Sequence, residues 1–155
     1  MFSYKPPKNL RALFIIHYAP LLLIILTGPL TAMFGVFEIP FDKLITIISG
    51  VIILIIGFYI YWKWQFFWYR KYNGQLVTEG LFKNVRHPHY ASVIIIGIGL
   101  SFFFYSLFAF VISIIAIPIM IVSILDEERL LLRQYGKEYE EFMKKTRWRM
   151  IPKIF

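Results

Sequence analysis

Residues 91–125 read ASVIIIGIGLSFFFYSLFAFVISIIAIPIMIVSIL, thirty-five positions without a charge. One membrane-spanning helix takes about 20 apolar residues, within a range of roughly 17–25, so the run is too long for a single comfortable crossing. Tyr105–Ser106 near its middle predicts a tight hairpin of two short spans, with Pro118 bending the second. Two apolar blocks precede it. Ala12 to about Phe37 contains Pro20 and the pair Gly28–Pro29, which predicts a kinked or broken helix, and Leu44 to about Trp64 predicts an uninterrupted one. The first block follows Lys5, Lys8 and Arg11 as a signal peptide's apolar region would, but it exceeds the usual ~7–15 residues and is read as a membrane helix. The expected fold is all-α and integral to the membrane, with about four transmembrane helices.

Composition agrees. Hydrophobic residues make up 59% of the 155-residue chain, against about 45–50% in soluble domains. The absence of cysteine excludes disulfides and thiolate metal sites. A net charge of +8 would suit nucleic acid, but the basic residues lie between apolar blocks, where they set topology and meet lipid headgroups. No nucleic-acid partner is expected. Lys63, Arg70, Lys71, Lys83 and Arg86 stand against Glu79 alone in the 62–90 loop, and the tail after Leu125 holds eight basic and six acidic residues. The positive-inside rule then places both termini and that loop on the cytoplasmic side. Tyr59, Tyr61, Trp62, Trp64, Phe66, Phe67, Trp68 and Tyr69 mark the interface as an aromatic belt.

Beyond Leu125 the chain reads DEERLLLRQYGKEYEEFMKK. Glu127, Leu131 and Tyr135 share one helical face, which predicts that the fourth helix runs on to Tyr135 and stops at Gly136. A short amphipathic helix follows, with Tyr139, Phe142 and Met143 in one stripe, suited to lie on the cytoplasmic membrane face. Pro152 ends regular structure.

Two polar sets flank the hairpin and should meet at its cytoplasmic end: GQLVTEGLFKNVRHPHY (residues 74–90) and Asp126, Glu127 and Glu128. Each residue has an ordinary explanation. Arg86 and His87 anchor the interface, with Arg86 at headgroup level. Pro88 starts a helix. Glu127 and Glu128 solvate a helix end or pair with Arg133. His87 and His89 lack a further ligand set at zinc spacing, so no metal is expected, and no nucleophile accompanies His87 and Glu127.

The combination is more specific than its parts. LVTEG-L-F, then RHPHY, an apolar hairpin, EE, YGKEYEEF and a final proline resemble the isoprenylcysteine carboxyl methyltransferase and phospholipid methyltransferase superfamily of integral-membrane methyltransferases, from Gln75 to the C-terminus. The resemblance implies one methyltransferase domain over 1–155, its cofactor part about 74–155, using S-adenosylmethionine at the cytosolic face. Carried over by position, Leu76 and Val77 contact the cofactor through backbone. His87 and Tyr90 hold it by side chain, Pro88 and His89 line the turn, and Glu127 binds it with Glu128 beside it. Phe82 stands where the carboxyl-methylating branch often has tyrosine. That branch also has an arginine four residues before the glutamate equivalent to Glu127; here the position is Ser123, and Arg129 or Arg133 would have to substitute. The implied catalytic residues are Glu127 and Arg129. The expected acceptor is lipophilic and enters from membrane lipid, most like a prenylcysteine carboxylate, with a lipid amine as the alternative. An NADPH-dependent membrane reductase and a non-enzymatic membrane protein are the competing classes; the first lacks a basic cluster for a 2′-phosphate.

Overall fold

A computed structural model describes residues 10–155. Lys5, Lys8 and the side chain of Arg11, used above to orient the chain, lie outside what it describes. Among the described residues there are five α-helices and no strand: α1 (Leu10–Phe34), α2 (Lys43–Lys71), α3 (Pro88–Phe103), α4 (Leu107–Tyr135) and α5 (Lys137–Lys145), with one 3-10 turn at Gly80–Lys83.

The charge-free run forms the predicted hairpin, α3 and α4 joined at Phe104–Ser106. Its tightness depends on Tyr105 adopting φ 55°, a left-handed conformation that costs a side-chain-bearing residue more than glycine. Tertiary bonds hold it there. The Tyr105 hydroxyl donates to Phe41 O at 2.7 Å. Ser106 Oγ caps α4 by accepting from Ala109 N at 3.1 Å, and accepts from Thr31 Oγ1 of α1 at 2.7 Å.

α3 is the central helix, in contact with α1, α2 and α4. Glycines let α2 and α3 approach closely: a Cβ on Gly50 would run into the backbone of Phe102 and Phe103, and one on Gly99 would sit 2.9 Å from Leu54 N. α3 and α4 are joined by Ser101 and Ser113, whose hydroxyls lie 3.0 Å apart and also bond to Gly97 O and Ala109 O. Small residues and paired hydroxyls are what helix association uses where hydrophobicity gives no preference between protein and lipid. Gly50→Ala is therefore expected to destabilise the bundle by about 1–3 kcal/mol, the cost of overpacking, read as a lower melting temperature in detergent. Wild-type melting would refute the close seam.

Among the described residues two helices, α2 and α4, are long and apolar enough to cross a membrane, and α3 is shorter. The apolar run of α4 ends at Leu125, so Asp126–Tyr135 stands beyond it.

Several expectations need correction. Of the kinked or broken helix expected for the first block, only the break is excluded: α1 continues through Pro20 and Pro29. Packing against neighbouring helices supports such prolines, and α1 contacts both α3 and α4. α2 runs seven residues past Trp64 because its end has protein to pack on. Trp64 stacks with Trp68, and Trp68 with Tyr72 and against Phe82. α5 does not turn its apolar stripe to a membrane. Tyr139 and Phe142 are buried with Phe82, among Trp64, Trp68, Leu76, Val77 and Leu131. The segment after α5 then folds back, placing Met150 in a second cluster with Tyr90, Val93, Met120 and Ile124.

Candidate functional site

Pro88 is the first residue of α3 and His87 its N-cap. Proline loses nothing there, since the first amides of a helix have no intrahelical acceptor. The two preceding amides are spent on the C-terminal segment: Arg86 N donates to Trp148 O at 2.9 Å and His87 N to Arg149 O at 2.7 Å. This fixes the direction of both side chains.

Arg86 is enclosed by protein. It is 5% exposed. Its Nε donates to Glu128 Oε1 at 2.7 Å, Nη2 lies 2.6 Å from the same oxygen, and Nη1 donates to Thr146 O and Arg147 O at 2.6 and 2.9 Å. A guanidinium this far from water needs such a set of acceptors, and the two polar sets flanking the hairpin supply them only after folding. Glu128 completes the network by accepting from Arg149 Nε at 2.9 Å through Oε2. Both of its oxygens are thus occupied by arginine, and the pairing with Arg133 considered above does not form; Arg133 is exposed.

Glu127 is placed differently. Its Oε2 accepts from the Tyr90 hydroxyl at 2.8 Å and lies 3.4 Å from His87 Nδ1. Its side chain keeps 28% exposure, directed into a cavity walled by Trp64, Trp68, Phe82, His89, Tyr135 and Tyr139 together with Glu127 itself. The empty space is about 560 Å³ with its open mouth included. Leu76, Val77, Arg86 and His87 also line it. His87 Nε2, the Tyr139 hydroxyl and the Trp64 indole nitrogen are buried without a hydrogen-bond partner; His87 Nε2 is 3.5 Å from Glu128 Oε1, a charge contact too long for a good hydrogen bond.

Of the residues singled out from sequence, Leu76, Val77, Phe82, His87, His89 and Glu127 thus converge on one cavity wall. Tyr90 reaches that wall through Glu127. Pro88 is buried at the helix start, and Glu128 lies behind the wall, held by arginines. Arg129 stands apart: it is half exposed and pairs with Asp126 at 3.1 Å. The helical stripe Glu127, Leu131, Tyr135 lines the cavity along its length, as do Tyr139 and Phe142 of the amphipathic stripe. Arg149 and Thr146 were missed; nothing in their local sequence signals that they meet Arg86 and Glu128. Among the described residues no cluster of three metal-ligating side chains occurs.

Burial works to lower the proton affinity of His87, but Glu127 and Glu128 on either side outweigh it and raise its pKa above the ordinary 6.5. Burial pushes Glu127 up, yet His87, His89 and Tyr90 hold it down at about 2; burial likewise opposes Glu128, which His87, Arg149 and Arg86 hold at about 2. The signs set a pH window. A raised histidine stabilises the fold fully below 6.5 and loses that contribution as pH rises through its folded value; the depressed carboxylates contribute above 4.5 and lose it as pH falls towards 2. Melting temperature should therefore be highest between those limits and fall on the alkaline side. His87→Asn should flatten the alkaline limb; an unchanged limb would show that His87 is not its source.

A family model described as phospholipid methyltransferase matches residues 44–138, a segment reaching from the start of α2 to the start of α5. No match to a curated protein was found.

Proposed function

The chain belongs to the phospholipid methyltransferase family, and from that premise we propose that the cavity holds S-adenosylmethionine and that the methyl acceptor is a lipid amine. Membership makes the protein a membrane methyltransferase; cofactor, acceptor, span count and site roles are our reading.

The observation that carries it is Glu127, its side chain 28% exposed, facing an aromatic-walled cavity. A carboxylate and aromatic faces favour cations, and the cofactor carries a sulfonium and an ammonium. Bound there, the cofactor would supply an electrophilic methyl group. Glu127 meets the positive charge. Trp64, Trp68, Tyr135 and Tyr139 exclude water and offer aromatic faces. His87 holds a proton beside Glu127, and Leu76 and Val77 supply backbone at the wall. Positioning carries much of the rate of an in-line displacement, and no covalent enzyme intermediate is required.

The acceptor follows from charge. A prenylcysteine carboxylate would need an uncommitted cation, but the cavity's arginine, Arg86, is bound to Glu128, Arg129 is bound to Asp126, and Ser123 occupies the position where the carboxyl-methylating branch has arginine. The nitrogen of a lipid amine needs no such partner: it attacks as the neutral amine, its proton lost to water at the open mouth of the cavity, and the N–CH3 bond forms as the S–CH3 bond of the cofactor would break. Calorimetry of the detergent-solubilised protein should register S-adenosylhomocysteine binding and no NADPH binding. Methyl transfer should occur to vesicles containing phosphatidylethanolamine and not to a prenylcysteine; the reverse preference would overturn the acceptor.

We read α1–α4 as four spans of a single domain over 1–155, with both termini cytoplasmic, supported by the charge asymmetry of the loops and by the lipid-suited exposed faces of α1, α2 and α4, with Leu26, Ile55 and Ile115 among them. Reporter fusions after Phe155 and near Ser106 should report opposite sides; same-side signals would sink the four-span topology.

A further inference from the structure

The family match ends at residue 138, yet the cavity's back wall is braced by residues beyond it. Thr146 Oγ1 donates to Phe82 O at 3.1 Å, the carbonyls of Thr146 and Arg147 accept from Arg86, and those of Trp148 and Arg149 accept from the amides of Arg86 and His87. Arg149 is the member of this segment that brings a charge to the site. Its Nε donates to Glu128 Oε2, and its guanidinium lies over the Phe155 ring, 5.2 Å from the centroid.

The charges around His87 show what Arg149 changes. Glu127 and Glu128 face it from α4, Arg86, His89 and Tyr90 from its own strand of chain and α3, Tyr139 from α5, and Arg149 stands behind Glu128 from the C-terminal segment; Asp126, next along α4, is tied to Arg129. Glu128 Oε1 is 3.5 Å from His87 Nε2 and Glu127 Oε2 is 3.4 Å from His87 Nδ1. Two carboxylates thus compete for one imidazole. Arg86 and Arg149 hold both oxygens of Glu128 and offset part of its pull on His87. Without Arg149, Glu128 would be a buried carboxylate held by Arg86 alone, its charge less offset where it faces His87.

We infer that Arg149 is a positioning residue of this site: acting through Glu128, it keeps His87 from being captured by that carboxylate and leaves the charge of Glu127 available to a cationic ligand. The inference rests on the reading of the cavity as a cofactor site. A protonated His87 competes with a ligand's positive charge for Glu127, so affinity should rise with pH as His87 loses its proton. Loss of Arg149 strengthens the proton's hold and moves that rise to higher pH.

The test is S-adenosylhomocysteine affinity of the full chain in detergent from pH 5.5 to 8.5, with one ligand throughout so that its own titration is common to all variants. Arg149→Gln should move the midpoint upward by about one pH unit, the scale on which neighbouring charges act. Arg149→Lys should return it towards wild type. Glu128→Gln should move it downward. Glu128→Gln/Arg149→Gln should coincide with Glu128→Gln, because Arg149 acts through Glu128; a midpoint above it would show that Arg149 acts on His87 directly and overturn the relay. Should Arg149→Gln fail to fold, Glu128→Gln carries the test, and an unmoved midpoint there overturns the inference. A brace that is merely structural would lower the melting temperature and leave the midpoints of wild type and Arg149→Gln coincident, and that coincidence overturns the inference. Failure of the wild-type chain to bind S-adenosylhomocysteine at any pH would instead overturn the cofactor reading.

Discussion

Glu127→Gln is expected to weaken S-adenosylhomocysteine binding by roughly tenfold to over a hundredfold, the equivalent of losing a hydrogen bond to a charged group, about 1.5–3 kcal/mol. The substitution keeps the shape of the side chain. Its amide oxygen can still accept from the Tyr90 hydroxyl, now 2.8 Å from Glu127 Oε2, so the end of α4 should remain in place and the melting temperature at neutral pH should fall modestly. The lost feature is the charge facing the cavity and its attraction for an ammonium or sulfonium. His87 loses one of its two carboxylate neighbours at the same time. Full affinity in a folded Glu127→Gln protein would return Glu127 to the role of a helix-end solvating group.

Arg86→Met should be the most damaging single change to stability, about 3–5 kcal/mol, the cost of removing one partner from a buried ion pair. Methionine keeps much of the volume of the stem but none of the five donors. Glu128, 3% exposed, would retain Arg149 on one oxygen and nothing comparable on the other, and the carbonyls of Thr146 and Arg147 would lose their donor. The C-terminal segment, Phe82 and the start of α3 would loosen together, because Arg86 is where they meet. Arg86→Lys should recover only part of the loss: an ammonium cannot reproduce the planar fork that bonds Glu128 and two carbonyls at once. A melting temperature within a few degrees of wild type for Arg86→Met would show that the network contributes little to the fold.

The contrast between Arg86 and Glu127 marks the limit of reading charges one at a time. Both are ionisable residues next to apolar runs, and in a linear sequence both look like interface residues. One is buried and structural, the other borders a cavity, and the difference comes from what folds over each. Arg86 is covered by a segment sixty residues later in the chain.

Sequence alone determined the helices and their order. The charge-free run 91–125 is too long for one span and too apolar for a soluble loop, so a hairpin near Tyr105 was the available solution, and Pro88, Ser106 and Gly136 stand at helix ends by local backbone chemistry. The Glu127, Leu131, Tyr135 stripe was legible for the same reason, since helical periodicity is a local property. The tertiary structure alone decided which residues these faces meet. The continuity of α1 through two prolines, the length of α2 and the burial of α5 against Phe82 depend on neighbours that support or cover each segment. The pairing of Glu128 with Arg86 and Arg149 depends on a return of the chain after α5 that no periodicity announces. Hydrogen bonds and ion pairs between distant segments are selected by the cost of burying a charge without a partner, and that cost arises only when the segments have packed and water has left.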